Sequence, residues 1–259
     1  MNWYVLIFPA IAVAAHATFR RFFPPDRLIE QHEVAGFLVS VVGVLYSVAL
    51  GFLVGTVWTA FTTAQQTTDL EAGYLADAFN FASSVRQPQR EQLQRILARY
   101  ALEVRDNEDN YLQRGREDPV ALDLMRQAVQ ITIAMPPPPP NASPGRVLES
   151  STIRTALLGD LRNVADSRRL RLVQSQSHLP RVMYASLILG AIFVIAFAFF
   201  FGVRSFYKQM AMTALVAATI GLFFGLVVQL SAPYSAGMHV SHESWNYIIV
   251  NNQLESFAK

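Results

Sequence analysis

The sequence predicts an all-α membrane protein with four transmembrane helices, the long second helix extending into a four-pass soluble helical stalk. Three observations predict it. Four apolar runs contain no Asp, Glu, Lys or Arg, and each approaches the roughly 20 residues that carry a helix across a bilayer. The second run passes into polar sequence without a breaker: no proline occurs between Val34 and Val85, and beyond Phe61 the only glycine there is Gly73. The polar segments repeat apolar residues at helical spacing, and none alternates with strand period. Composition agrees: 52% of the 259 residues are hydrophobic and only 15% charged, with positive mean hydropathy. Those values suit a membrane protein with one sizeable soluble part and exclude an ordinary soluble enzyme.

The first span is expected over Trp3–Phe19. Arg20-Arg21 follows its apolar run and nothing basic precedes it, the reverse of a signal peptide, so a retained span is expected despite the small-residue pattern Ala15-His16-Ala17. Pro24-Pro25 breaks the link that follows. From Val34 to Val85 a single helix of roughly fifty residues would run about 75 Å, more than twice the hydrocarbon core. Pro88 opens the next helix, with Leu93, Ile96, Leu97, Tyr100, Val104 and Tyr111 on one face and Gly115 at its end. Asp118-Pro119 reads as an N-cap followed by proline at the first helical position, starting a helix to about Met135. The run Pro136–Pro140 is a stiff connector. A long helix over Arg146–His178 returns to the membrane with Ile153, Leu157, Leu161, Val164 and Leu172 on one side. The third span starts at Arg181. The fourth, Ala211–Leu230, carries Gly221 and Gly225 as a small-xxx-small pair, extended by Ala214, Ala217 and Ala218. After Pro233, an N-cap at Ser241 and a Trp245, Ile248, Ile249 face suggest a short helix at the membrane surface. The boundaries are then 1–61 for a first transmembrane pair, 62–180 for the stalk, 181–231 for a second pair and 232–259 for an interfacial tail.

One face of the second span is built of small residues: Gly36, Ser40, Gly43, Ser47, Gly51, Gly55, Thr59 and Thr62, at spacings of three or four. Small residues let helices approach closely in lipid. The stripe is therefore either a packing seam or the lining of a pore, with Phe52 and Trp58 as candidate constrictions. Both readings require a partner helix. Arg20, Arg21, Arg27, Arg204 and Lys208 make the two short inter-span links basic. Repeated around an axis they would gather anions at a mouth; alone they would set topology.

Little other chemistry is on offer. The chain has no cysteine and a net charge of +2, which excludes thiolate chemistry and gives no basis for nucleic-acid binding. No G-x-S-x-G, HExxH or phosphate-binding glycine loop occurs. Charge is absent from the spans, against a pump or proton-coupled carrier. Glu30, His32 and Glu33, and likewise His239, His242 and Glu243, read as solvated residues, so no metal or cofactor is expected.

Several local patterns coincide with one family. The small-residue GVLYSVALGFLVGTVW, DLEAGYL around Glu71, RYALEVRDNE around Tyr100 and Glu108, SRRLRL with Arg168, Arg169 and Arg171, LPRVMYASLILGA, and the closing LSAPYSAGMHVS together resemble the bacterial four-span family of unknown function classed as bestrophin-like. The family usually has an acidic and a basic residue before the last proline–aromatic pair. Ser231 and Ala232 stand here instead, so no charge role carries over. The resemblance implies a multi-pass α-helical protein of the bacterial inner membrane and, by looser analogy with bestrophins, an oligomeric ion channel, with a homo-oligomer such as a pentamer and small inorganic ions as its partners besides lipid; the basic links make the expected channel anion-leaning. The resemblance also implies a stalk in the cytoplasm, whereas the tally of basic residues puts the short links there and the stalk outside. Two of the matched motifs reach the same height. Glu71 lies ten residues beyond Phe61, and Arg171 and Arg168 lie ten and thirteen before Arg181, all about 15 to 20 Å along their helices. Glu71, with Asp69 beside it, is therefore expected to pair with Arg168 or Arg171. The alternative to a channel is a non-conducting scaffold or sensor whose stalk binds a protein.

Overall fold

The computed structural model describes residues 3–23, 32–141, 143–177, 179–201, 203–234 and 239–258, without the side chains of His32 and Glu33. Among the described residues every regular element is a helix: α1 Tyr4–Phe22, α2 His32–Ser83, α3 Gln89–Asp106, α4 Glu108–Leu112, α5 Pro119–Ile133, α6 Pro144–Gln176, α7 Arg181–Phe199, α8 Phe206–Leu230, α9 Glu243–Asn251 and α10 Leu254–Phe257. Four of them, α1, α2, α7 and α8, are long and apolar enough to cross a membrane. The chain divides into two compact units, 1–60 with 178–231, and 61–177 with 232–259. Helix α2 contributes to both. It is one unbroken helix of 52 residues, because nothing in its polar half removes a backbone donor or frees the chain to turn.

In the first unit α1 packs mainly on α8. Their close approach depends on the small stripe of α8, where Thr213, Ala217, Gly221 and Gly225 are buried. A methyl group at Gly221 would come within 2.6 Å of the Tyr4 carbonyl oxygen. Gly190 of α7 gives room in the same way to the Tyr46 ring of α2, 2.5 Å from where a Cβ would stand. His16 is fully buried, sharing a 2.7 Å hydrogen bond with Thr213 and stacking on Phe199.

The second unit is a helical bundle whose buried positions follow a four-three rhythm. On α2 the rhythm runs through Ala64, Thr68, Glu71, Leu75, Ala78 and Ala82, on α3 through Leu93, Leu97, Tyr100 and Val104, and on α6 through Leu157, Leu161, Val164, Arg168 and Arg171, with Thr67, Ala72, Phe79, Gln94, Ala98, Ala101 and Ser167 buried beside it. That spacing is the narrow apolar seam of a helix packed along others. Each large apolar side chain taken fully from water contributes about 1.5–3 kcal/mol. Local signals fix the ends. Asp118 accepts from the Val120 amide at 2.9 Å and Pro119 takes the first position of α5. Gly115 adopts a left-handed φ of 62°, a conformation that glycine reaches without steric cost.

Three expectations need correction. The helix expected from Pro88 to Gly115 breaks at Asn107 into α3 and α4; Glu108, the first residue of α4, is 1% exposed. The face formed by Trp245, Ile248 and Ile249, expected at a membrane surface, is instead buried in the core of the second unit with Leu97, Tyr100 and Leu161. The N-cap of its helix is His242, not the expected Ser241, because the helix begins at Glu243; Ser241 accepts from the Glu243 amide through Oγ at 3.2 Å. The links and tail also hold calls that lie outside the described residues: Arg27, Glu30 and the side chains of His32 and Glu33.

Candidate functional site: the open face of the second span and a buried ion network

Along α2 the covered positions are Ala35, Leu50 and Val57, about a third of a turn away from the small-residue stripe. The stripe itself stays open. Ser40, Ser47, Gly51, Gly55 and Thr59 are exposed, and Gly36, Gly43 and Thr62 half-buried. A side chain added at Gly43, Gly51 or Gly55 would meet nothing within 4 Å, and one at Gly36 would only touch Phe201 at 3.8 Å. Ser40, Ser47 and Thr59 donate their hydroxyl protons to the carbonyls of Gly36, Gly43 and Gly55 at 2.7–2.9 Å, which leaves lone pairs outward. One edge of the stripe, at Gly43, Ser47 and Gly51, borders an apolar crevice of about 490 Å³ closed by Val194 and Phe223. The two proposed constriction residues are exposed, Phe52 by 76% and Trp58 by 55%.

The basic residues of the short links separate. Arg20 is held by the Gln209 side chain and the Arg204 carbonyl, 2.9 Å away, with its guanidinium 5.5 Å from the Phe206 ring centroid. Arg21, Arg204 and Lys208 are exposed.

The second unit holds an ion network at core positions. Glu71 on α2, Glu108 on α4, and Arg168 and Arg171 on α6 are each no more than 4% exposed in their side chains. Arg171 approaches Glu71 at 2.8 Å and also contacts Glu108. These are contacts of opposite charge without hydrogen-bond alignment. Arg168 contacts Glu108, reaches the half-exposed Glu117 at 3.3 Å and donates to the Asp118 carbonyl at 3.0 Å. Tyr100 donates to Glu71 at 2.6 Å. Burial first, then the Glu71 charge, push its phenol well above the usual range, so it stays a donor. Tyr234 nearby is pushed up to about 12, chiefly by burial. Two carboxylates and two guanidiniums balance, which is the condition for burying charge at all.

Of the expected stalk pair, then, Glu71 and Arg171 meet directly, while Arg168 turns to Glu108. Asp69 stands apart: it accepts from Gln65 at 3.0 Å and from Ser244 at 2.6 Å. Being half-buried at the bundle surface, it is satisfied by neutral donors. Glu108 is the member that sequence reasoning left unassigned. Its signal was available, because it continues the α3 seam of Leu93, Leu97, Tyr100 and Val104 by one more step of four. Among the described residues, no three imidazoles or carboxylates converge as a metal site. His242 lies 3.4 Å from Asp109.

The bestrophin-like domain model matches residues 6–245. The chain belongs to the bestrophin-like family. Solved structures share its fold. A crystal structure of a membrane protein superposes with a TM-score of 0.66 at 12% identity, covering 98% of each chain. A bacterial bestrophin homologue from Klebsiella pneumoniae, carrying a single substitution, superposes with a TM-score of 0.58 at 12% identity, covering 99% of this chain and 98% of that one. A second substituted form of the Klebsiella homologue gives 0.57 at 12% identity, over 99% and 97%. No curated protein matches the chain.

Proposed function

We propose that this bestrophin-like protein is the subunit of a homo-oligomeric ion channel in the bacterial inner membrane, with the small-residue face of α2 lining the pore. The observation that carries the reading is the open stripe: a side chain added at Gly43, Gly51 or Gly55 would meet no other side chain or helix within 4 Å, although these positions lie in the middle of an apolar span. Small side chains with outward hydroxyl lone pairs make a narrow polar track for ions, and bulky apolar residues beside it gate by drying. Phe52 and Trp58 are those residues. Exposed Arg21, Arg204 and Lys208 raise the local anion concentration at one mouth, which supports an anion preference. Arg20, already engaged by Gln209, holds the link in place. In the second unit the Glu71–Arg171 contact locks the polar half of α2 to α6.

The test is flux from liposomes that contain the purified oligomer. Chloride or potassium efflux is expected, with anions ahead of cations. Ser47→Phe should abolish flux while the oligomer still elutes intact. Loss of assembly in Ser47→Phe would make the stripe a packing seam, and tight liposomes with intact wild-type oligomers would favour a scaffold. Arg21→Glu with Lys208→Glu should turn the preference toward cations.

A further inference from the structure

The second unit carries a pocket that the channel reading does not use. It lies where the α2–α3 link, the proline run after α5 and the first turns of α6 meet, and it encloses about 420 Å³. That is the size of small-molecule sites, which run roughly 300–1,000 Å³. Its walls are of two kinds. Met135, the prolines from Pro136 to Pro138, and Ile153 are apolar. The proline wall is stiff because each ring fixes its φ, so little order is lost when a ligand packs on it.

The remaining wall is cationic. Arg86, Arg146 and Arg154 line the pocket against one carboxylate, Glu149. Arg154 donates to the Ile133 carbonyl. Among the described residues none of the three arginines forms an ion pair. Arg90, Arg99, Arg114, Arg116 and Arg126 of the same unit form none either; what sets Arg86, Arg146 and Arg154 apart is that all three line one apolar cleft. Three guanidiniums facing one acid around an apolar cleft leave a surplus of positive charge that the chain itself does not neutralise.

We propose that this pocket binds a small amphiphilic organic anion, a carboxylate or sulfonate on an apolar body. The body lies against Met135, the prolines and Ile153. The anionic head takes Arg86 and Arg146, since guanidinium presents a planar fork that matches a carboxylate or sulfonate. A bare inorganic anion would leave the apolar wall wet, and a neutral apolar molecule would leave the charge uncompensated.

The experiment is isothermal titration of the full chain in lipid nanodiscs with naphthalene-2-sulfonate, corrected with empty nanodiscs. Naphthalen-2-ylmethanol and inorganic sulfate serve as the uncharged and the purely charged comparisons. The sulfonate is expected to bind once per subunit and tighter than either. Arg86→Ala and Arg146→Ala, both at exposed positions, should each weaken it at least about tenfold, the value of a charged hydrogen bond, while Arg86→Lys retains most of the affinity. The proposal is overturned if no binding is seen. It is equally overturned if the sulfonate binds the double alanine variant as tightly as the wild type, or if sulfate or the alcohol matches the sulfonate. Because the readout is heat of binding, the result does not depend on whether the oligomer conducts.

Discussion

Removing one charge from the buried network should cost far more than removing the same kind of charge from the surface. Arg171 is 1% exposed, and its two partners, Glu71 and Glu108, are 0% and 2% exposed in their side chains. Arg171→Met keeps the apolar stem but leaves two carboxylates facing one guanidinium, a net negative charge out of water. Breaking a buried pair from one side costs about 3–5 kcal/mol, which for a unit of this size lowers the melting midpoint by about 10–20 °C. Arg95→Met serves as the comparison, because the Arg95–Glu91 pair is 47% and 63% exposed and such i,i+4 pairs contribute only about 0.3–0.5 kcal/mol. The assay is the fluorescence of Trp245, fully buried in this core, with Trp3 and Trp58 replaced by Phe so that only the second unit reports. Adding Glu71→Gln to Arg171→Met leaves Glu108 balanced by Arg168, so the double variant should be clearly more stable than the sum of the singles predicts. An Arg171→Met cost no larger than that of Arg95→Met, or strict additivity in the cycle, would refute the reasoning.

Gly221→Ala places a methyl group 2.6 Å from the Tyr4 carbonyl oxygen and should lower thermal stability by a core-overpacking cost of about 1–3 kcal/mol. Gly51→Ala, with nothing within 4 Å, should leave the protomer's midpoint within the small range of surface changes and act only on flux or assembly. Burial first, and the Asp77 charge second, hold the Asp160 carboxyl above the ordinary aspartate range, so its ionised form disfavours the folded state. That penalty is absent below the unfolded value and grows as pH rises through the folded one. Asp160→Asn should therefore raise the midpoint at pH 7, and the gain should vanish below about pH 4, the unfolded value of an aspartate; a gain equally large at acid pH would point to packing instead.

How much of this was legible in the sequence depended on where each signal is completed. The length of α2 was legible, because no proline interrupts it and its glycines, including Gly73, lie singly within long runs of helix formers, and its end at Ser83 lies close to the expected Val85. The cap at Asp118 was legible for the same reason: the donor and acceptor lie two residues apart. The break at Asn107 was not, since no proline or glycine marks it. Glu108 was missed because charged residues were assigned to the solvent face by type, whereas the seam spacing places Glu71, Arg168 and Arg171 in leucine positions. Register, not polarity, carried that information. Trp245, Ile248 and Ile249 form an apolar face that looks the same whether it meets lipid or a protein core, and only the long-range packing of its helix on α3, with Trp245 against Tyr100, decides. The stripe of α2 is the limiting case. Its seam and pore readings need the same small residues at the same spacing, because both depend on what another helix does opposite Gly43 and Gly51. The two readings part on one variant: Ser47→Phe in a pore stops flux while the oligomer stays intact, whereas in a seam it stops assembly.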